Sequence, residues 1–257
     1  IDPTVYTFSG ENIDGYLTKS GDTYPPSSFD SSSPDTSSTT FYVGQDYSLD
    51  AYYVYRGYVS FDTSNLQYAT VQSATLSLYL AAVSSETFTM YLYNCSYGSS
   101  LDNEDWDVSA TQFDSITSGS AVVDAYNSWN VPAEAINTTG RTQFTFRTDK
   151  DVNGQAPTQA EKFRWYSSES DRPPILEVTY TVNVPPVSIA NVWLYAEEDY
   201  YPIEVTFSDV NDTAMIAFTD YDESYCLQFN GGTSYVQVAD DDTLDFTDKF
   251  TLTVWLY

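Results

Sequence analysis

Histidine is absent from these 257 residues, and with it the Ser-His and Cys-His pairs of nucleophilic catalysis. Its absence also removes the commonest nitrogen ligand for a metal. Cysteine is nearly absent. Cys95 and Cys226 stand 131 positions apart, a separation that fits no metal-ligand spacing. Two separate thiols are a simpler reading than one bridge across so long a loop, and mass measurement with and without reductant distinguishes them. Positive charge is scarce as well: 9 basic against 37 acidic residues leave a net charge of −28. A field of that sign repels nucleic acid and anionic membrane, and it suits a solvated surface in saline or calcium-bearing surroundings. No apolar run approaches the roughly 20 residues of a membrane-spanning helix, so membrane insertion is not expected. Long heptads and runs of strong helix formers are missing too.

What the chain has instead is 24 Tyr, 14 Phe and much Ser and Thr, a composition for strands and turns. Its length allows one large all-β domain or two ordinary ones, either able to bury a core without staples. The organising stretch runs from Tyr55 to Leu80. Leu76, Leu78 and Leu80 alternate with Thr75, Ser77 and Tyr79, and Val59 and Phe61 alternate with Tyr58, Ser60 and Asp62. That period of two marks strands with one buried face. The polar link from Thr63 to Ser73 is long enough to carry the chain from one sheet to another.

Before this stretch, residues 1–20 hold a strand around Gly15 to Thr18, and residues 21–40 read as a long surface loop rich in Ser, Pro, Thr and Asp. After it, Phe88, Met90 and Leu92 share a strand face, and Asp102 to Asp107 read as an acidic loop. Ala121 to Trp129 reads as a helical turn or two. Phe144 and Phe146, then Phe163 and Trp165, mark two strands that their Asn153-Gly154 and Pro157 connection suggests are paired. Leu176, Val178, Tyr180 and Val182 form a final inward row. Beyond the proline joint at Asn183 to Pro186 come strand-like runs at 192–195, 203–207 and 215–218. The chain opens on Ile1 rather than Met, which reads as a processed or trimmed product. It stops inside an apolar strand, which implies either continuation or pairing with a neighbouring molecule.

Two resemblances attach to these residues. Tyr55-Arg56-Gly57-Tyr58-Val59-Ser60-Phe61-Asp62-Thr63-Ser64, Ala74-Thr75-Leu76-Ser77-Leu78-Tyr79-Leu80, Tyr166-Ser167-Ser168-Glu169 and Arg172-Pro173-Pro174-Ile175-Leu176-Glu177-Val178-Thr179-Tyr180 make residues 13–182 resemble the DNRLRE-type domain of secreted and surface proteins. That resemblance implies a jelly-roll β-sandwich, in some members a carbohydrate-binding module for acidic polysaccharides. Leu227-Gln228-Phe229-Asn230-Gly231, Tyr235-Val236-Gln237-Val238 and Phe250-Thr251-Leu252-Thr253-Val254-Trp255 make residues 225–257 similar to the opening of a laminin-G or concanavalin-A-like lectin domain. The expected organisation is therefore all-β. A jelly-roll β-sandwich over 1–183 is followed by a short connecting β segment of immunoglobulin-like character over 184–224. An incomplete second β-sandwich fills 225–257.

Six of the nine basic residues fall between Arg141 and Arg172. If the two strands pair, Arg147, Lys162, Arg164 and Tyr166 form a basic stripe on one sheet face. Arginine can hold a sugar carboxylate through two parallel hydrogen bonds, and an aromatic ring packs beside a pyranose. The plainer alternative is a set of surface ion pairs worth roughly 0–1 kcal/mol each. The acidic clusters at 102–107, 209–212, 220–223 and 240–242 lack EF-hand spacing; each reads as a solvated loop, and together they leave structural calcium open as a cofactor. Arg56, between tyrosines and before a buried strand, reads as structural, its guanidinium tied to a carboxylate or carbonyls. Asn94, Asn137 and Asn211 open N-x-Ser/Thr tripeptides. Among 37 acids some pair will match any separation that glycoside hydrolysis requires, so catalysis is not expected. The expected function is a non-catalytic extracellular or cell-surface module, adhesive or architectural, of a multidomain surface protein or appendage, with a surface glycan as its candidate ligand. The alternative is a self-assembling subunit of a filament, sheath or fibre whose partners are other copies of itself.

Overall fold

The computed structural model describes residues 3–182 with their side chains and the backbone of two strands at 188–196 and 199–206. The chain divides into two compact units, 1–182 and 183–257. In the first, strands β1 (Thr4–Ser9), β2 (Gly15–Gly21), β3 (Ser28–Phe29), β4 (Thr40–Ser48), β5 (Ala51–Asp62), β6 (Ala69–Val83) and β7 (Thr89–Cys95) lead to β8 (Ala110–Thr117), β9 (Tyr126–Val131), β10 (Arg141–Thr148), β11 (Glu161–Tyr166) and β12 (Ile175–Val182). All the pairings are antiparallel, and the result is an all-β, jelly-roll-like curled sheet.

The two longest strands are β5 and β6, and each serves two neighbours along one edge. β5 bonds β4 through Ala51 to Tyr55 and β10 from Gly57 to Asp62. β6 bonds β12 through Ala69 to Ser77 and β11 at Leu80 to Val83, while β9 takes its other edge. The link between β5 and β6 contains a 3-10 turn at Ser64–Leu66, and both strands belong to the one continuous sheet. At the first handover Gly57 is required for space. A Cβ there would lie 2.7 Å from Val43 and 2.8 Å from Phe41, both in the main core.

That core follows from the alternation. Phe61, Leu78, Phe146 and Val178 are all completely buried, each contributing roughly 1.5–3 kcal/mol relative to exposure. A second cluster of Leu17, Val54, Tyr58, Cys95, Tyr97, Leu101 and Trp106 covers another part of the sheet. It exists because residues at the polar positions of the alternation, such as Thr145 and Gln143, are buried too.

Four expectations change. Residues Tyr126–Val131 form strand β9, not a helix: Asn127, Trp129 and Val131 turn inward, and the Asn127 side chain bonds both N and O of Val122 to set the preceding turn. The acidic loop is a 3-10 turn at Asn103–Asp107, capped by Asp102 on the Glu104 N–H and burying Trp106. The N-terminal segment supplies a further strand, β1, against β12. Finally, β10 and β11 do not pair. β10 bonds β5 and β7, whereas β11 bonds β4 and β6. Their connection crosses β5 and β4 because each pins it: Arg56 grips Asp151, and Gln45 donates to the Gln155 carbonyl at 2.8 Å and to Glu161 at 2.7 Å.

In the second unit β13 (Ser188–Ala196) and β14 (Asp199–Thr206) pair antiparallel. The 215–218 run, the segment 225–257 expected to open a second β-sandwich, Cys226, Asn211 and the acidic clusters beyond 206 lie outside the described residues. Cys95 is free and buried, and burial pushes its thiol up to about 12. Among the described residues no helix is long and apolar enough to cross a membrane.

Candidate functional site

Strand β11 reads Glu161-Lys162-Phe163-Arg164-Trp165-Tyr166. Phe163 and Trp165 are fully buried, so the pleat turns Lys162, Arg164 and Tyr166 to the opposite side. Arg164 is exposed and sits directly across from Tyr42 on β4. Lys162 sits across from Gly44, which in turn sits across from Tyr55 on β5. Gly44 has φ +129°, and a Cβ there would fall 2.2 Å from the Glu161 carbonyl oxygen, so glycine is required. Its missing side chain leaves room for Lys162 to reach across the strand. The ammonium stands 5.4 Å from the centre of the Tyr42 ring and 5.3 Å from that of Tyr55, and 2.6 Å from Asp46. Changing Gly44 to alanine should destabilise the unit by about 1–3 kcal/mol in urea denaturation. The same change should separate Lys162 from its two rings.

Tyrosines extend this group in both directions. On one side Tyr42 touches Tyr55 and Tyr16, each at 5.5 Å, and Tyr55 stacks against Tyr53 at 6.3 Å. Tyr16 donates to Asp35, and burial followed by the Asp35 charge pushes its phenol upward, so it keeps its proton. On the other side Tyr166 meets Tyr79 at 5.5 Å, and Tyr79 meets Tyr126 at 5.1 Å. The Arg172 guanidinium lies 4.5 Å over Tyr79 and 5.6 Å from Tyr166. Apart from Tyr16 on β2 and Arg172 in the link after β11, these residues belong to five adjacent strands, β5-β4-β11-β6-β9. Four inter-strand steps of about 4.8 Å make the stripe roughly 19 Å across. Most of its rings are half-buried.

The stripe brings together three of the four residues singled out from sequence, Lys162, Arg164 and Tyr166. It excludes Arg147. That residue lies on β10 across from Tyr91, donates to the Val108 carbonyl at 3.0 Å and stands 5.5 Å from the Tyr93 ring, with its Nε buried and unpartnered among the described residues. The unbonded strands β10 and β11 are the reason: β4 and β5 lie between them. Conversely, Tyr16, Tyr42, Tyr55 and Arg172 join the stripe without having been picked from the sequence. The available signal was tyrosine at the polar positions of apolar alternation, as in Phe41-Tyr42-Val43 and Leu78-Tyr79-Leu80.

Arg164 and Arg172 carry no ion pair among the described residues, whereas Lys162 is matched by Asp46; of the two, Arg164 is the exposed one at the centre of the stripe. In a chain of charge −28, an unmatched guanidinium flanked by rings is a local attraction for an anion. No group of three acidic or cysteine side chains among the described residues is arranged to hold a metal ion. At 102–107 the carboxylates have other work: Asp102 and Asp105 close the turn's cap, and Asp107 pairs with Arg56. Compared with known protein families the sequence matches no family model, and it matches no curated protein.

Proposed function

We propose that this chain is a non-catalytic extracellular module that binds acidic polysaccharide along the tyrosine–arginine stripe. The observation that carries the reading is the exposed Arg164 in the middle of a five-strand row of half-buried tyrosines. Tyrosine rings offer flat apolar faces to the C–H side of pyranose rings and hydroxyls to their rims. The Arg164 fork is free to take a uronate carboxylate through two parallel hydrogen bonds, and Arg172 supplies a second cation farther along. Long polymers suit such an open row better than small molecules, because each added sugar meets a further ring.

The test is affinity electrophoresis and calorimetry with a soluble polyuronate. Arg164→Ala should weaken binding about 10- to 100-fold, since a hydrogen bond to a charged partner is worth roughly 1.5–3 kcal/mol. Tyr42→Ala should weaken it by a similar factor, and Arg147→Ala should leave it unchanged. Rising salt should weaken the wild-type complex. Equal retention of wild type and the Arg164 variant rejects the reading.

A second reading, self-assembly, draws on β1. This strand bonds a described neighbour, β12, along one edge and exposes Val5 and Tyr6. An edge that has no partner among the described residues can take another strand. Concentration-dependent light scattering that persists in Arg164→Ala, together with no polyuronate binding, would favour it.

A further inference from the structure

The three N-x-Ser/Thr tripeptides differ in what their structure permits. Asn211 lies outside the described residues. Asn94 sits inside β7, half-buried, and its side-chain nitrogen donates to the carbonyls of Ala135 at 3.1 Å and Gln143 at 3.5 Å. The next residue, Cys95, is buried. A substituent on that nitrogen would displace both bonds and enter the sheet.

Asn137 is exposed, two residues past the Ala133–Ala135 turn. Its side-chain oxygen accepts from the backbone N–H of Thr139 at 3.1 Å and from the Thr139 hydroxyl at 3.1 Å. Its backbone is fastened from beneath: Asn137 N donates to the Thr142 hydroxyl at 2.9 Å, and the Thr63 hydroxyl lies 2.6 Å from the Asn137 carbonyl and 2.8 Å from that of Gly140. Thr63 and Thr142 are both buried. The amide therefore presents a fixed oxygen held by two donors, and its nitrogen has no acceptor among the described residues.

We propose that Asn137 is an N-glycan attachment site of the folded chain, with Thr139 as its positioning residue. Two donors on the amide oxygen stabilise the negative charge that builds there as the nitrogen gives up a proton. The co-reactant is a glycosyl donor carried on a lipid diphosphate. The Asn137 nitrogen attacks the anomeric carbon and a C–N bond forms. The anomeric C–O bond breaks with its electron pair leaving on the diphosphate, and one amide proton passes to a base of the transferase. Nothing is oxidised or reduced. The sugar then projects from a turn anchored on two buried threonines, and Asn94 stays bare.

The experiment treats the purified, folded chain with an oligosaccharyltransferase and a lipid-linked oligosaccharide, then maps glycopeptides by mass spectrometry. The expected result is modification at Asn137 and none at Asn94, with at least a tenfold loss at Asn137 in Thr139→Ala and retention in Thr139→Ser. Melting curves matching wild type show that the alanine variant is folded. An unmodified Asn137, equal occupancy of Asn94, or full modification of the alanine variant would each overturn the proposal.

Discussion

Replacing Arg56 with alanine will cost the first unit about 3–5 kcal/mol, the range for a buried ion pair that loses one partner. The guanidinium grips Asp151 through two bonds, at 2.8 and 3.1 Å, and gives a third to the Trp106 carbonyl at 2.6 Å. It also lies over the Trp106 ring, 4.2 Å from its centre, with Lys19 4.7 Å from the same ring. The side chains of Arg56 and Asp151 are only 11% and 8% exposed. Alanine would leave the Asp151 carboxylate desolvated and alone, which is why the loss exceeds that of a surface pair. Lysine restores charge but not the fork, so Arg56→Lys should recover only part of the loss. Removing both charges in Arg56→Met with Asp151→Leu should recover most of it. Urea denaturation of the full chain, followed by tryptophan fluorescence and circular dichroism, measures all three. A single-variant loss below about 1 kcal/mol would show that water reaches the pair and that the clamp is ornamental.

Asp14 should make the protein less stable as pH rises, against the usual behaviour of a carboxylate. It is completely buried; burial first, then the neighbouring Glu169 charge, pushes it up to about 8, despite bonds from the Ser168 N–H at 2.8 Å and the Ser168 hydroxyl at 3.0 Å. Asp14 packs at the Glu11 carbonyl through its own N–H, and the buried Tyr97 phenol also senses its charge. The folded state thus holds a proton that the unfolded chain releases near its ordinary value of 3.8. The stabilisation is complete below that value and is lost as pH climbs toward 8. The slope is roughly 1.4 kcal/mol per pH unit, or about 2–3 kcal/mol between pH 5 and 7. Asp14→Asn mimics the protonated form and can still accept from Ser168, so its stability should lack this decline. Wild type and variant should therefore diverge on moving from pH 5 to pH 7, with asparagine the more stable at the higher pH. Parallel curves would mean that Asp14 ionises freely in the fold.

The two clamps bear on the stripe through the scaffold. Asp151 held by Arg56 guides the β10–β11 connection across the sheet, and that path delivers β11 beside β4. Asp14 fastens the residues before β2 to Ser168, two positions past Tyr166. Losing either should loosen the platform that aligns Arg164 with Tyr42, so under the proposed function polyuronate binding by the Arg56 variant should fall more than its folded fraction alone requires.

Alternation by itself determined which side chains enter the core. Phe61, Leu78, Phe146, Phe163 and Val178 are buried because a pleated strand offers no other arrangement to an apolar residue at every second position. Absent histidine and scarce positive charge were equally legible, since composition needs no geometry. Lys162, Arg164 and Tyr166 share a face for the same local reason. What only the tertiary structure decided is who stands beside whom. Pairing partners are chosen by contacts far apart in sequence, here by the Arg56 and Gln45 anchors that keep β10 and β11 apart, and those separate Arg147 from the group. Buried Gln143 and Thr145, the strand at Tyr126–Val131 in place of a helix, and a stripe gathered from tyrosines on six strands all follow from that long-range choice, which no window of a dozen residues contains.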